Sequence, residues 1–359
     1  MRIGIICPYS VTTPGGVQGQ VLGLARSLRG LGHPARVLAP CDGPPPDAHV
    51  TALGNSLPYA VNGSVAPLAP DPSAQLRLIR ALRDEDFDVV HIHEPMAPGP
   101  TQTAMFVKTA PLVGTFHAAG EIAAYKWFGP GVRWLAGRLD RRCAVSADAE
   151  AMARRFLAGD YVRLFNGVEL DRFTGVEPTS TEGPTVFFLG RHEPRKGLAV
   201  LLEAMSELPS TFHLWVGSDG PETDELRQRH AGDPRIEWLG RLSEGEKVAR
   251  LRGADVVCFP SLSGESFGVV LLEGMAAETP IVATRLPGYA NVAREGRDAL
   301  LVEPGDAHAL AEAIERVVAD PDLASELVAS GRGRAAEFSM DRLAERYLEI
   351  YDDLVPAVH

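Results

Sequence analysis

Cysteine is scarce in this chain. Four occur in 359 residues, Cys7, Cys41, Cys143 and Cys258, and no two form a CxxC pair. Such scattered thiols exclude a disulfide framework and read as reduced, which points to the cytoplasm. Lysine is scarcer still against its usual share: of 35 basic residues only Lys108, Lys126, Lys196 and Lys247 are not arginine. Where arginine is the default cation, a retained lysine draws attention, although for any one of them chance is an adequate account. Positive charge as a whole is outweighed. A formal net charge of −12 lacks the basic surface that nucleic-acid phosphates demand, so no nucleic-acid partner is expected, while a local basic patch stays compatible with it. No apolar run approaches the ~20 residues that span a bilayer. The opening MRIGIICPYS passes straight into a strand without the apolar h-region of a signal peptide. Any membrane contact is therefore expected to be peripheral. Walker A, dinucleotide GxGxxG and HExxH patterns are all missing, and neither histidine pair has metal-ligand spacing, so no metal is expected.

What is present is an ordinary soluble composition, 45% hydrophobic and 23% charged, over a length that suits two domains of roughly 100–200 residues each. Short apolar runs alternate with helical patterns from end to end, the pattern of βαβ units and parallel sheets. In the first half residues 2–9, 35–40, 88–94, 111–118 and 141–147 read as buried strands, and 16–33 as a helix closed near Gly32. The turn-rich CDGPPPDAHV reads as a loop. A second set of strands begins near residue 185, at 185–191, 211–219, 235–242, 255–261, 280–288 and 299–304. Polar and turn residues accumulate over 162–184, where the halves meet. The last segment spaces Leu343, Tyr347, Ile350 and Leu354 as an amphipathic helix. The expected fold class is α/β, two Rossmann-like doubly wound domains facing across a cleft, with ligands at the carboxyl ends of the strands.

Three segments carry chemistry. PYSVTTPGGVQGQ follows the first strand, and Gly15 and Gly16 open the first long helix; this is either a tight turn or a place where an anion approaches helix N–H groups. In FFLGRHEPRKG, Arg191 and Lys196 follow a strand five positions apart across Pro194, as two charge-assisted donors to a diphosphate would, or as a solvated basic loop would. The third is the most specific: in GESFGVVLLEGMA the acids Glu265 and Glu273 flank what looks like a helix start. The N–H groups of Phe267, Gly268 and Val269 suit a phosphate, and Glu265 suits sugar hydroxyls. Glu273, about two turns on among Leu271, Leu272 and Met275, is costly without a partner such as a ribose. HIHEP (91–95) and GTFH (114–117) add histidines at strand ends, which are structural, exposed, or part of a polar pocket.

Taken in order, GGV, GTFH, NGVE, LGRHEPRKG and ESFGVVLLE resemble the retaining GT-B glycosyltransferases of family four along essentially the whole chain. Within it, MRIGIICPYSVTTPGGVQ, NGSVA, FDVVHIHEP and GESFGVVLLE are most similar to the bacterial subgroup that moves mannose from GDP-mannose to phosphatidylinositol. The resemblance implies domains at 1–168 for the acceptor and 169–338 for the nucleotide sugar, with 339–359 a helix crossing back to the first domain. It implies that Gly15 and Gly16 approach the donor phosphate and that Arg191 and Lys196 neutralise the diphosphate. Glu265, Ser266, Phe267, Gly268 and Val269 would hold sugar and phosphates, and Glu273 the ribose. Glu244 and Lys247 fall where a guanine edge is read, though Glu244 also fits simple charge complementarity at a helix start. Tyr9 and His117 fall on the acceptor side, with His117 counted as catalytic beside Arg191, Lys196 and Glu265. No cofactor or catalytic metal is implied, and the partners are a nucleotide sugar and a lipid or small-molecule acceptor.

On the acceptor side this chain has Pro67 and Ala69 where the mannosyl subgroup carries arginines, and Ala118, Ala119, Gly120 and Glu121 where it is richer in hydroxyl and lysine side chains. SAQLRLIRALRD (73–84) puts Arg77, Arg80 and Arg83 on one stripe and Leu76, Ile79 and Leu82 on another. That suits peripheral contact of residues 73–83 with an anionic inner membrane face, or an ordinary outer helix. Three functions stay open: the mannosyl transfer just described, transfer from a UDP-sugar to a soluble or different lipid acceptor, and a non-catalytic GT-B module binding nucleotide or lipid.

Overall fold

The computed structural model describes residues 1–61, 64–117 and 129–355. The chain divides into two compact units, Met1–Gly167 with Met340–His359, and Val168–Ser339. In the first, β1 (Ile3–Ile6), α1 (Gly16–Gly30), β2 (Ala35–Ala39) and β3 (Val50–Ala52) are followed by the hairpin β4 (Leu57–Val61) and β5 (Ser64–Leu68). Then come α2 (Pro72–Asp84), β6 (Val89–His93), α3 (Pro100–Val107), β7 (Leu112–Phe116), α4 (Gly129–Ala136), β8 (Arg141–Ala144), α5 (Ala147–Leu157) and β9 (Val162–Arg163). The main sheet is parallel in the order β3-β2-β1-β6-β7-β8-β9. Its central strands β1, β6 and β7 are buried along their whole length because helices cover both faces. Ile3 and Ile5 point into one cluster with Leu24 and Leu28 of α1, and Ile6 into another with Leu78, Met105, Leu135 and Leu157 of α2 to α5.

The second unit runs β10 (Thr185–Leu189), α6 (Leu198–Glu207), β11 (His213–Gly217), α7 (Thr223–Arg229), β12 (Ile236–Gly240), α8 (Glu244–Gly253) and β13 (Val256–Phe259). It continues with α9 (Val269–Ala276), β14 (Ile281–Thr284), β15 (Leu300–Val302), α10 (Ala307–Ala319) and α11 (Pro321–Glu337). Its parallel sheet has the order β12-β11-β10-β13-β14-β15. Val186 and Phe188 pack under α6 and α10, against Leu201, Leu202 and Ile314. Phe187, pointing the other way, meets Trp215, over which the Arg250 guanidinium of α8 lies at 4.2 Å. In both sheets the order of the strands reverses beside a central strand, between β1 and β6 and between β10 and β13. Those are the topological switch points, where ligands bind in open α/β sheets.

The last helix, α12 (Met340–Asp352), packs in the first unit. Leu343, Ala344, Tyr347, Ile350 and Tyr351 join the α1 side of its core. The chain leaves that unit at Gly167, whose N–H donates to Gln20 Oε1 at 2.7 Å while Gln20 Nε2 donates to its carbonyl at 2.8 Å. Within the second unit Val168 pairs with Ser339.

Three details differ from expectation. The β4–β5 hairpin carries little alternating pattern and two prolines, and it is absent from the sequence reading. The helix after Glu265 starts only at Val269, because Gly268 takes a left-handed φ of 96° there; Glu273 is thus one turn into α9, not two. The apolar stripe of α2 does not face out as a unit: Leu82 and Leu78 are buried against the sheet, and Leu76 alone is well exposed, at 67%. All four cysteines are buried and free.

Candidate functional site

In the second unit the loops after β10 and β13 meet at the switch point. Leu262 N–H donates to Arg195 O at 2.7 Å, which ties one loop to the other. Gly197, at φ 70°, is required there: a Cβ would stand 1.9 Å from Pro260 O. This close packing places Lys196 Nζ 2.5 Å from Glu265 Oε1. Ser261 Oγ donates to the same oxygen at 3.1 Å and accepts from Tyr289 OH at 3.0 Å. Burial pushes the Tyr289 phenol well up, so it stays a neutral donor. Behind Glu265 its carbonyl abuts Gly288, where a Cβ would come to 1.9 Å. Lys196 and Glu265, predicted as functional from separate motifs, thus form one ion pair.

Arg191 does not join that pair directly. Its Nε is 3.2 Å from one oxygen of the buried Glu193, whose other oxygen takes Arg195 Nε at 2.9 Å; Arg195 also lies 3.8 Å from Glu265. Glu193 and Arg195, absent from the sequence reading, therefore bridge Arg191 to the central pair. The signal was present in the acid between two arginines of RHEPR. Ser261 and Tyr289 left no local signal. Beyond Glu265, the N–H groups of Phe267 and Gly268 make no backbone hydrogen bond among the described residues, and no side chain caps α9. The Phe267 ring is buried against Phe338, so that residue offers its backbone alone.

A second group joins α8 to α9. Lys247 Nζ lies 2.8 Å from Glu273 Oε1 and 3.0 Å from Glu244 Oε2. Glu273, expensive to hold amid apolar neighbours, has its partner here. Glu244 is the first residue of α8, whose N-terminus is closed by a capping box of Ser243 and Glu246. Its carboxylate is also bonded by Arg172, which pairs with Glu169 at 3.3 Å and which sequence reasoning missed.

In the first unit Tyr9, Gly15, Gly16 and His117 follow β1 and β7. Tyr9 bridges Leu68 beside the hairpin. Gly15 is the extended N-cap of α1, and a Cβ there would strike Gln18; beside Gly16 there is open space, as a ligand's close approach requires. His117 N–H donates to Glu94 Oε1 at 2.7 Å, and Glu94 holds a left-handed φ of 47° to do so. The rings of His91, His93 and His117 lie in a row, His91 tilted against His93 at 4.3 Å between centroids and His93 stacked on His117 at 5.1 Å. His93 Nδ1 lies 2.9 Å from His117 Nε2. His91 bonds Thr115 through Nε2 at 2.7 Å and Tyr351 OH through Nδ1 at 2.7 Å, and Thr115 reaches Tyr347 OH at 2.9 Å. Burial lowers His91 to about 3 and His117 to about 4, and holds His93 well below the ordinary value, so all three are neutral near pH 7. With both ring nitrogens bonded inside the unit, His91 is structural, and His117 is a neutral hydrogen-bonding group. The sequence reading placed Tyr347 on the apolar stripe of the last helix but missed Tyr351 four positions on and the bonds of both hydroxyls, although a buried hydroxyl needs a partner. Ala118, Ala119, Gly120 and Glu121 lie outside the described residues, as do Asn62 and Gly63 of NGSVA.

Comparison with known proteins shows the family. Residues 14–172 match the model for Glycosyltransferase Family 4, and residues 183–320 the model for Glycosyl transferases group 1. A phosphatidyl-myo-inositol mannosyltransferase of Mycobacterium leprae is 38% identical over 98% of this chain and 96% of its own length. Its namesake from Mycolicibacterium smegmatis is 37% identical over 98% and 94%. Among solved structures, sucrose-phosphate synthase from Thermosynechococcus elongatus superposes with a TM-score of 0.74 over 98% of both chains at 21% identity.

Proposed function

The chain belongs to glycosyltransferase family 4, with the GT-B fold of paired Rossmann-like domains, and from that membership we propose that it transfers mannose from GDP-mannose to a phosphatidylinositol-type lipid, retaining the anomeric configuration. It is a hexosyltransferase. The observation that carries the acceptor and the mannosyl group is the near-complete alignment, at 38% identity, with a protein named phosphatidyl-myo-inositol mannosyltransferase.

In this reading Lys196 and Arg191 meet the donor diphosphate. At rest Lys196 is held by Glu265; as the donor binds, phosphate oxygens take over the ammonium, and Glu265 turns its lone pairs to sugar hydroxyls. Charge that builds on the departing diphosphate is met by two cations and by the N–H groups before α9, preorganised stabilisation that needs no metal. Glu273 accepts from the ribose. Glu244 accepts from guanine N1–H and N2–H, with Lys247 bridging the two acids. Gly16 admits the β-phosphate, and Tyr9 and His117 stand by sugar and acceptor. The enzyme works at the inner membrane face, touching anionic lipid through residues 73–83.

A second reading changes donor and acceptor. It is favoured by Pro67 and Ala69, the latter fully buried, where the resemblance leads one to expect arginines. One assay separates them: incubation with GDP-mannose or UDP-sugars, with and without phosphatidylinositol, and mass analysis of the products. Mannosylated lipid from GDP-mannose alone is expected. Transfer only from a UDP-sugar would establish the second reading, and no nucleotide release from any donor would leave a binding module.

A further inference from the structure

His93 has a ring nitrogen that nothing among the described residues satisfies. Its Nε2 is buried without a hydrogen-bond partner, while its Nδ1 lies 2.9 Å from His117 Nε2. Between two neutral imidazoles one nitrogen of the contact carries the proton and the other accepts it. Were His93 protonated on Nε2, that N–H would be a buried donor with no acceptor, the costlier way to leave a polar atom unpaired. With the proton on His93 Nδ1 only a lone pair goes unmatched. His117 Nε2 then accepts, and the proton of His117 must sit on Nδ1. Glu94 holds the His117 backbone through its N–H.

We propose that His93 is a positioning residue that fixes the tautomer of His117, so that His117 presents Nδ1–H and acts as a hydrogen-bond donor to an oxygen of the sugar or acceptor. The proposal rests on the reading that His117 lines the substrate site. It has a chemical consequence: a general base needs a bare nitrogen, and His117 in this state has none to offer, since Nε2 is occupied by His93. The acceptor hydroxyl must lose its proton elsewhere, which fits a leaving diphosphate as the proton's destination.

The test uses three substitutions in the full chain. The amide nitrogen of asparagine falls near the place of ring Nδ1, so His93→Asn keeps the donor to His117; His93→Gln places its amide nitrogen at the Nε2 position, and His93→Leu has no donor. The expected result is His93→Asn near wild type, with kcat of His93→Gln and His93→Leu down about tenfold or more at unchanged KM for the nucleotide sugar. Independently, nitrogen-15 NMR of the ring nitrogens is expected to show His117 protonated on Nδ1 in the resting enzyme. A bare Nδ1 there, or equal activity of His93→Leu and His93→Asn, would overturn the proposal. The underlying reading is tested apart: wild-type turnover in His117→Phe would remove His117 from the site and the positioning role with it, whereas loss there alongside an unaffected His93→Leu would remove the positioning role alone.

Discussion

Lys196 and Glu265 are only 17% and 11% exposed in their side chains, so each depends on the other in the absence of donor. Lys196→Ala is expected to lower kcat by about 10²–10³, the effect of losing one donor to developing charge, while circular dichroism shows the fold retained. Turnover within a few-fold of wild type would take the lysine out of the diphosphate site. The histidines make a prediction about acid. Their folded pKa values lie below the unfolded value near 6.5, so below that pH the unfolded chain binds protons that the native chain refuses. Stability is full above about pH 6.5 and falls as pH drops toward about 4, by about 1.4 kcal/mol per pH unit for each histidine kept neutral. Urea unfolding at pH 7, 6 and 5 reads the slope, and a His91→Gln variant should flatten it. At this scale the sequence was legible where a motif placed a charge beside a strand end, as at Arg191, Lys196 and Glu265. It was silent on Ser261, Tyr289 and Arg172, because which distant side chain completes a hydrogen bond is decided by packing.

Elements hold these residues in register. Gly197 lets the loop after β10 lie against the end of β13, and Gly197→Ala adds a carbon where Pro260 O already stands and strains a positive φ. The expected cost is about 1–3 kcal/mol in unfolding experiments, with turnover lost beyond what that cost explains, because Lys196 is the next residue. The last helix offers a parallel case. Tyr351→Phe leaves His91 Nδ1 buried without a partner and should destabilise by about 1–3 kcal/mol, measured by denaturant titration; an unchanged midpoint would mean that the bond contributes nothing. That the helix was amphipathic could be read from Leu343, Tyr347 and Ile350. That its tyrosines anchor β6 and β7, through His91 and Thr115, could not, since a three-and-four spacing reports which face is buried and not what lies beneath it.

Over the whole molecule the parallel sheets were legible because central strands covered on both faces are largely apolar; the β4–β5 hairpin has no such constraint. The proposed membrane contact makes a prediction about α2. On α2, Arg77 is spent on Leu53 O and Ser73, whereas Arg80 and Arg83 are exposed, Arg80 sharing only the surface pair with Asp84. Cosedimentation with anionic vesicles should therefore weaken on changing Arg80 and Arg83 to Gln, and more at low salt than at high. Vesicle binding that is absent, or indifferent to those changes, makes α2 a plain outer helix. The four buried cysteines have a practical outcome. Burial pushes the Cys7 and Cys143 thiols up to about 12 and raises Cys41 and Cys258 as well, so in the folded enzyme all are poor nucleophiles. The native protein should thus be blank to maleimide dyes, and one cysteine engineered onto the surface of each unit would give a pair of fluorophores whose energy transfer follows the enzyme through its catalytic cycle, with no background from the wild-type thiols.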